Sequence, residues 1–198
     1  FLSFGVAGVA GLVLAATTAW WLLAVGAVSV VAAWFYTGGT RPYGYLGLGE
    51  VMVFVFFGLV AVVGTTYVQT ETWLWASLYA GVGVGALACA ILVVNNLRDI
   101  PTDTVAGKTT LAVRLGDSRT RAFYLLLVLA AAAAVVAVAV ATSWCVLVGL
   151  GFLVVAAPAV RTVRSGATGP ALVPVLQQTG LAELVWAVLV AGALVVCR

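Results

Sequence analysis

The sequence predicts an all-α protein that is embedded in a membrane as a bundle of helices. Of its 198 residues, 65% are hydrophobic and only 8% are charged, and the mean hydropathy is +1.23. Soluble domains carry about 25% charged residues, so lipid must cover most of the surface of this chain. The apolar runs are continuous, whereas a membrane β-barrel would alternate apolar and polar residues. Helices therefore remain as the structure that satisfies the backbone hydrogen bonds in lipid.

Seven apolar segments have approximately the length needed to cross about 30 Å of hydrocarbon. We place them at residues 1–16, 19–35, 46–67, 73–94, 122–141, 145–160 and 179–196. The first is short, and the chain begins with Phe1 and not with Met, from which we expect a cut N-terminal end. We predict seven transmembrane helices and no separate soluble domain.

The basic residues predict the orientation of these helices. Eight of the nine fall in three loops on one side of the membrane, and only Arg198 falls on the other. Basic loops face the cytoplasm in membrane proteins, which places both ends of the chain outside. The eight residues are Arg41, Arg98, Lys108, Arg114, Arg119, Arg121, Arg161 and Arg164.

Cysteine and glycine are interpreted as packing residues. The chain has no histidine, and its cysteines suit neither a metal site nor a disulfide framework by their spacing. Gly81, Gly83 and Gly85 superficially match a dinucleotide-binding loop. They lie within a membrane segment with no strand before them, so we expect small residues at helix contacts. The three cysteines lie inside or at the edge of apolar segments, at Cys89, Cys145 and Cys197.

Four of the six acidic residues have simple interpretations. Glu71 lies in a short outer loop and Asp117 in a basic surface turn, and we expect both to be solvated. Glu50 and Glu183 are each predicted at the cytoplasmic start of a helix, where a carboxylate complements the helix dipole. On this segmentation no charged residue lies at the centre of a membrane span.

The remaining acids, Asp99 and Asp103, form a candidate metal site. Their i, i+4 spacing puts both carboxylates on one helix face, with Asn95 or Asn96 one turn earlier. Pro101 can kink this stretch. Two carboxylates and an amide oxygen are hard ligands that suit Mg²⁺ beside a phosphate. On spacing alone, two chance acids in a charged cytoplasmic loop remain the alternative.

Cationic side chains on the same side offer partners for a phosphate. Lys108, Arg41 and the arginine cluster could hold the charge of a diphosphate. For Arg41 three roles stay open: pairing with a substrate carboxylate, holding diphosphate, or only fixing the topology.

Two long blocks in the sequence resemble a known family. The first is Asn-Asn-Leu-Arg-Asp-Ile-Pro-Thr-Asp (95–103), continued by Gly-Lys-Thr-Thr-Leu-Ala-Val-Arg-Leu-Gly (107–116). The second is Tyr-Thr-Gly-Gly-Thr-Arg-Pro-Tyr-Gly-Tyr (36–45), followed by Gly-Leu-Gly-Glu (47–50) and Phe-Phe-Gly (56–58). Both resemble UbiA-type prenyltransferases, in particular the branch that acts on 1,4-dihydroxy-2-naphthoate. Arg41 stands one place later than the basic residue that is usual there, and Asn96 replaces an aspartate of many relatives.

The resemblance implies a nine-helix bundle that opens to the cytoplasm. The seven segments here would be its last seven helices and would form one domain, 1–198. Two helices and a first aspartate motif would be missing, so we expect these 198 residues to be inactive alone. A multi-pass protein of the cell membrane with a cytoplasmic active site is implied.

The resemblance also implies the reaction. A polyprenyl group passes from polyprenyl diphosphate to 1,4-dihydroxy-2-naphthoate, with loss of CO₂ and diphosphate, and gives demethylmenaquinol. Mg²⁺ is the implied cofactor, and no nucleic acid takes part. Two alternatives remain: another acceptor, 4-hydroxybenzoate or homogentisate, or a non-enzymatic transporter, which would be expected to place ionisable residues near the middle of its spans. The candidate residues are Asp99, Asp103, Arg41 and Tyr36 for catalysis, Asp99 and Asp103 for the metal, and Asn95, Asn96, Arg98, Lys108 and Glu50 for substrate binding.

Overall fold

The computed structural model describes residues 2–39 and 42–197, and of Phe4 the backbone only. All regular secondary structure in these ranges is helical, which confirms the predicted fold class. The described residues form seven long helices: α1 Leu2–Thr17, α2 Leu22–Thr37, α3 Gly49–Thr70, α4 Trp75–Val105, α5 Leu111–Ala141, α6 Trp144–Arg164 and α7 Gly169–Val196. The last five are long and apolar enough to cross a membrane, whereas α1 and α2 are shorter apolar helices.

Three of these helices contain a change of helical type. The middle of α3, Phe54–Val60, is a π-helical turn. The first eight residues of α6, Trp144–Gly151, form a 3-10 helix, and α7 begins with a 3-10 turn at Gly169–Leu172. A short 3-10 helix, Tyr43–Leu46, precedes α3.

Helices α4, α5 and α7 begin or end well beyond the predicted apolar segments. Helix α4 continues to Val105 with Pro101 inside it, so the polar stretch of the candidate site is helical. Helix α5 starts at Leu111 because the Thr110 hydroxyl caps it by accepting from the Val113 N–H at 3.4 Å. It contains a break at Gly116, where φ is 74°.

The position of Glu183 corrects one prediction. Helix α7 begins near Pro170, a residue that favours the first turn of a helix, and not at Thr179. Glu183 therefore lies half-buried at the middle of the Gly169–Val196 span. The expectations that it sits at a helix start and that no charge lies at the centre of a span are wrong.

The core is formed by α4 and α5, with α6 and α7 packed against them. Its side chains are mainly Ala, Val and Leu, together with the buried Tyr124, Phe152 and Trp186. The Trp186 ring donates to the Ala131 carbonyl at 3.0 Å and covers Gly83 so closely that a Cβ there would overlap the ring. Gly81 and Gly85 pack against the π-helical turn of α3. The interpretation of these three glycines as helix contacts is confirmed.

A disulfide joins Cys145 and Cys197, with 6.6 Å between their Cα atoms. The prediction that all three cysteines are unbonded packing residues is therefore wrong for two of them and right for Cys89, which is free and buried. Spacing along the chain could not show this pair, because 52 residues separate its members. The start of α6 and the end of α7 meet at one end of the bundle, and this brings the two sulfurs together.

Candidate active site

A polar cavity of about 160 Å³ lies at the end of the bundle that carries the basic residues. It is enclosed by the end of α2, the 3-10 turn before α3, and the polar end of α4 with the loop that follows. Six of the predicted site residues line it: Tyr36, Asn95, Asn96, Asp99, Asp103 and Lys108. Helix α4 supplies four of them, since positions 92, 95, 96, 99 and 103 recur on one face at helical spacing.

The Asp99 carboxylate is held by its neighbour Arg98. The Arg98 guanidinium donates through Nε to Asp99 Oδ1 at 2.7 Å and through Nη2 to Oδ2 at 2.8 Å. A second bond from Nη2 reaches Asn95 Oδ1 at 3.0 Å, and Asn95 Nδ2 donates weakly to Asp99 at 3.4 Å. Arg98 does not line the cavity. Its role in this geometry is to fix the orientation of two side chains that do.

The Asp103 carboxylate is buried and pairs with Lys108. The ammonium nitrogen of Lys108 lies 3.3 Å from Asp103 Oδ1 and 4.9 Å from the centre of the Tyr45 ring. A backbone bond from Lys108 N–H to the Asp103 carbonyl, 2.9 Å, closes the turn that ends α4. Within the part of the chain that the structure describes, the second oxygen of Asp103 makes no hydrogen bond. One carboxylate oxygen and one cation thus face the cavity together.

Behind the cavity wall lies Glu50, which is only 3% exposed. Its Oε1 accepts from Asn96 Nδ2 at 2.8 Å, while its Oε2 is buried with no partner among the described residues. The Cys89 thiol donates to the Glu50 backbone carbonyl. Glu50 does lie in the first turn of α3, as predicted, but it is buried and acts on the cavity through Asn96.

The two sequence blocks meet at the cavity mouth. Thr109 donates to the Tyr45 carbonyl through its backbone N–H at 3.0 Å and its hydroxyl at 3.1 Å. Gly47 has φ of 77°, and a Cβ there would lie 3.2 Å from the Thr109 carbonyl oxygen. Only glycine accommodates both the positive φ and the nearby carbonyl oxygen without strain. The turn 43–49 is thereby fastened to the loop after α4.

An apolar cavity of about 680 Å³ adjoins the polar one. It lies between α2 and the π-helical part of α3, and its walls include Met52, Phe56 and Val60. Tyr36 lines both cavities. Tyr43 closes the apolar cavity near Tyr36 and donates its hydroxyl to the Ala32 carbonyl, and burial raises the pKa of that hydroxyl above its usual value.

Two larger cavities, of about 810 and 690 Å³, lie toward the end of the bundle that holds the disulfide. Their linings contain Trp73, Trp75 and other apolar or hydroxyl side chains, and no charged residue among those described. A diphosphate would find no cation there. Size therefore does not identify the reaction site, and the smaller polar cavity is the candidate.

The cavity also has lining residues that the sequence did not predict. Arg41 lies outside the described residues. Tyr45 and Thr110 line the cavity and belong to the two recognised blocks, which was the available signal. Leu92 lies three residues before Asn95 on the same face of α4. In residues 2–39 and 42–197, no group of three or more His, Cys, Asp or Glu could hold a metal ion.

A sequence profile of the UbiA prenyltransferase family matches residues 1–171. The chain belongs to the UbiA prenyltransferase family. Its apolar helices and this membership make it a multi-pass membrane protein, and enzymes of the UbiA family generally depend on a divalent metal. No solved structure matches the chain.

Curated UbiA relatives are similar over most of this chain. It is 55% identical to 1,4-dihydroxy-2-naphthoate octaprenyltransferase of Mycobacterium tuberculosis. The 192 aligned residues are 97% of this chain and 65% of that protein. The protein of the same name from Mycobacterium leprae is 56% identical, covering 96% and 64%. That from Escherichia coli is 47% identical over 105 residues, covering 53% and 34%. The chain thus spans slightly less than two thirds of the mycobacterial relatives.

Proposed function

We propose that this chain carries the reaction site of an enzyme that transfers a polyprenyl group from polyprenyl diphosphate to 1,4-dihydroxy-2-naphthoate. The reaction would release diphosphate and CO₂ and give demethylmenaquinol, an intermediate of menaquinone biosynthesis. The observation that carries the proposal is the junction at Tyr36, where the polar and the apolar cavity meet. A substrate with a charged head and an isoprenoid tail needs both surfaces side by side. The names of the relatives support the naphthoate acceptor.

The polar cavity suits the diphosphate together with a divalent metal, for which we propose Mg²⁺. Asp99 and Asp103 would hold the ion. A carboxylate offers about four lone-pair sites, so Asp99 can accept from Arg98 and still bind a metal. Asp103 has a free oxygen, and oxygen ligands are those that Mg²⁺ prefers. When bound, the ion would offset the negative charge that grows on the departing diphosphate.

Lys108 is the cation of the chain that we propose contacts the diphosphate directly. It lines the cavity, pairs with Asp103 and lies over the Tyr45 ring. Its flexible stem would let it move from Asp103 to a phosphate oxygen. Asn95 and Asn96 present amide groups to the same space, Asn95 oriented by Arg98 and Asn96 by Glu50.

The apolar cavity would hold the first part of the isoprenoid chain. Breaking the bond between the allylic carbon and the diphosphate oxygen leaves a carbocation, which water would destroy. The walls formed by Met52, Phe56 and Val60 exclude water from that position. The Tyr36 ring stands at the junction, where its face can stabilise the cation. The electron-rich ring carbon of the acceptor then bonds to the allylic carbon and loses its carboxylate as CO₂.

We further propose that this site faces the cytoplasm across the cell membrane. Basic residues accumulate on the cytoplasmic side, and the described ones lie at the ends of α4 and α6 and the start of α5. Single cysteines at Ala106 and Thr168 should react with an impermeant thiol reagent only from the cytoplasmic side, and one at Thr70 only from outside. Labelling of Ala106 and Thr168 from opposite sides would contradict this topology.

The reaction is tested with membranes that contain the complete protein. They receive polyprenyl diphosphate, Mg²⁺ and, separately, 1,4-dihydroxy-2-naphthoate, 4-hydroxybenzoate or homogentisate. We expect prenylated product and an equal amount of CO₂ with the naphthoate. Lys108→Ala should raise the KM for the diphosphate about tenfold, the loss of one charge-assisted contact. Efficient use of 4-hydroxybenzoate with no use of the naphthoate would refute the proposed acceptor.

A further inference from the structure

A groove between α5 and α6 lies apart from the candidate active site. Its volume is about 460 Å³. Leu125 and Leu129 form its wall on α5, and Leu153 and Val160 form its wall on α6. Leu129 is 63% exposed, so the groove opens sideways from the bundle toward the surrounding lipid.

Two arginines, Arg161 and Arg164, stand at one end of this groove. Among residues 2–39 and 42–197, neither forms an ion pair or a side-chain hydrogen bond, and both are exposed. Asp117, an acid at the neighbouring end of α5, is already bonded through both oxygens to Arg121 at 2.6 and 2.7 Å. Two cations thus remain available where the apolar groove ends.

The neighbouring Arg121 differs from these two, because its donors are used within the protein. In addition to Asp117 it donates to the carbonyls of Val163 and Ala167, at 2.7 and 2.9 Å. These bonds fix the end of α6 and therefore the place of Arg161 and Arg164 relative to α5. The cationic end of the groove is held in position and does not depend on a mobile loop.

The length of the groove matches one leaflet of a bilayer. From Leu153 to Arg164 is eleven residues of α-helix, about 17 Å at 1.5 Å per residue. Half of the hydrocarbon core of a membrane is about 15 Å. An acyl chain whose headgroup lies at the two arginines would therefore follow the groove to about the middle of the membrane.

We propose that this groove is a binding site for one anionic phospholipid, with an acyl chain between α5 and α6 and its phosphate on Arg161 and Arg164. A guanidinium binds phosphate oxygens in a two-pronged geometry, and basic pockets between membrane helices bind anionic headgroups. A zwitterionic lipid brings its own cation close to the arginines and binds less well. The site is independent of the prenyl-transfer reaction.

The test is native mass spectrometry of the protein, purified in mild detergent with equal amounts of phosphatidylglycerol and phosphatidylcholine. We expect the parent to retain one phosphatidylglycerol in preference to phosphatidylcholine. The double variant R161Q/R164Q should lower this preference about tenfold or more, because each basic residue near a lipid surface attracts an anionic headgroup. Arg119→Gln, which removes an exposed arginine that does not line the groove, is the matched control and should change nothing.

Two further variants separate the groove from charge alone. Ala157 lines the groove, so Ala157→Trp should abolish retention of both lipids while the arginines stay, and R161K/R164K should keep much of the preference. Equal retention of phosphatidylglycerol by the parent and by R161Q/R164Q would overturn the proposal. Loss of the bound phosphatidylglycerol on addition of millimolar glycerol phosphate would also overturn the proposal, because the arginines would then bind a soluble anion.

Discussion

Replacing Glu50 should slow catalysis although Glu50 does not line the active-site cavity. Its Oε1 holds Asn96 by a 2.8 Å hydrogen bond, and it is 3% exposed. Glu50→Ala removes the acceptor and leaves the Asn96 amide free to rotate at the cavity wall. Glu50→Gln keeps an acceptor oxygen of the same shape at the same place.

The expected size follows from that single bond. A hydrogen bond to a charged group contributes about 1.5–3 kcal/mol, and each 1.36 kcal/mol changes a rate about tenfold. Glu50→Ala should therefore lower kcat/KM roughly 10- to 100-fold. Because Glu50 Oε2 is buried without a partner in the described structure, its removal also relieves a desolvation cost. We accordingly expect the Ala variant to remain folded.

The assay compares initial rates of the complete protein and its variants in membranes, over a range of diphosphate and Mg²⁺ concentrations. Glu50→Gln should retain most of the parental rate, and Glu71→Ala, which removes an exposed acid in the turn between α3 and α4, should retain all of it. A Glu50→Ala enzyme with the parental kcat/KM would refute the positioning role. A Gln variant as slow as the Ala variant would show that the charge matters and not the hydrogen bond.

Two further predictions concern the proposed metal site and the core. Asp99→Asn and Asp103→Asn should each abolish turnover while the thermal unfolding midpoint stays near that of the parent; near-parental activity of either would remove that residue from the metal site. Gly83→Ala should destabilise the protein by about 1–3 kcal/mol, because its methyl group would overlap the Trp186 ring. Gly64→Ala is the control, because a Cβ there meets nothing within 4 Å; it should be neutral or stabilising by up to about 1 kcal/mol. Equal thermal unfolding midpoints for the two variants would contradict the tight contact between Gly83 and Trp186.

The helix count and several residues that line the candidate cavity could be predicted from the sequence. The seven predicted apolar segments correspond to seven helices in the described structure. They could be recognised because the thickness of the membrane sets the length and hydropathy of the segments that cross it. The spacing of Asn95, Asp99 and Asp103 gave one helix face, and Pro101 did not break it. These features are local, and a local pattern determines them.

Two of the three errors arose where distant parts of the chain meet. The Cys145–Cys197 pair depends on two helix ends that are 52 residues apart. The error at Glu183 was local, because Gln177, Gln178 and Thr179 interrupt the apolar run and concealed a helix that begins at Gly169. The burial of Glu50 and its bond to Asn96 join residues that are 46 positions apart, and neither side chain shows that partnership in the sequence.

The measurement that tests the central claim most directly is photo-cross-linking with a polyprenyl diphosphate analogue that carries a photoreactive group beside the diphosphate. In membranes with the complete protein and Mg²⁺, cross-links should fall within residues 43–49 and 92–110 and should decrease when unlabelled polyprenyl diphosphate is added. Asp103→Asn should reduce them to background. Cross-links at the cavities around Trp73 and Trp75, at the disulfide end of the bundle, that are unaffected by Asp103→Asn would contradict the assignment of the reaction site.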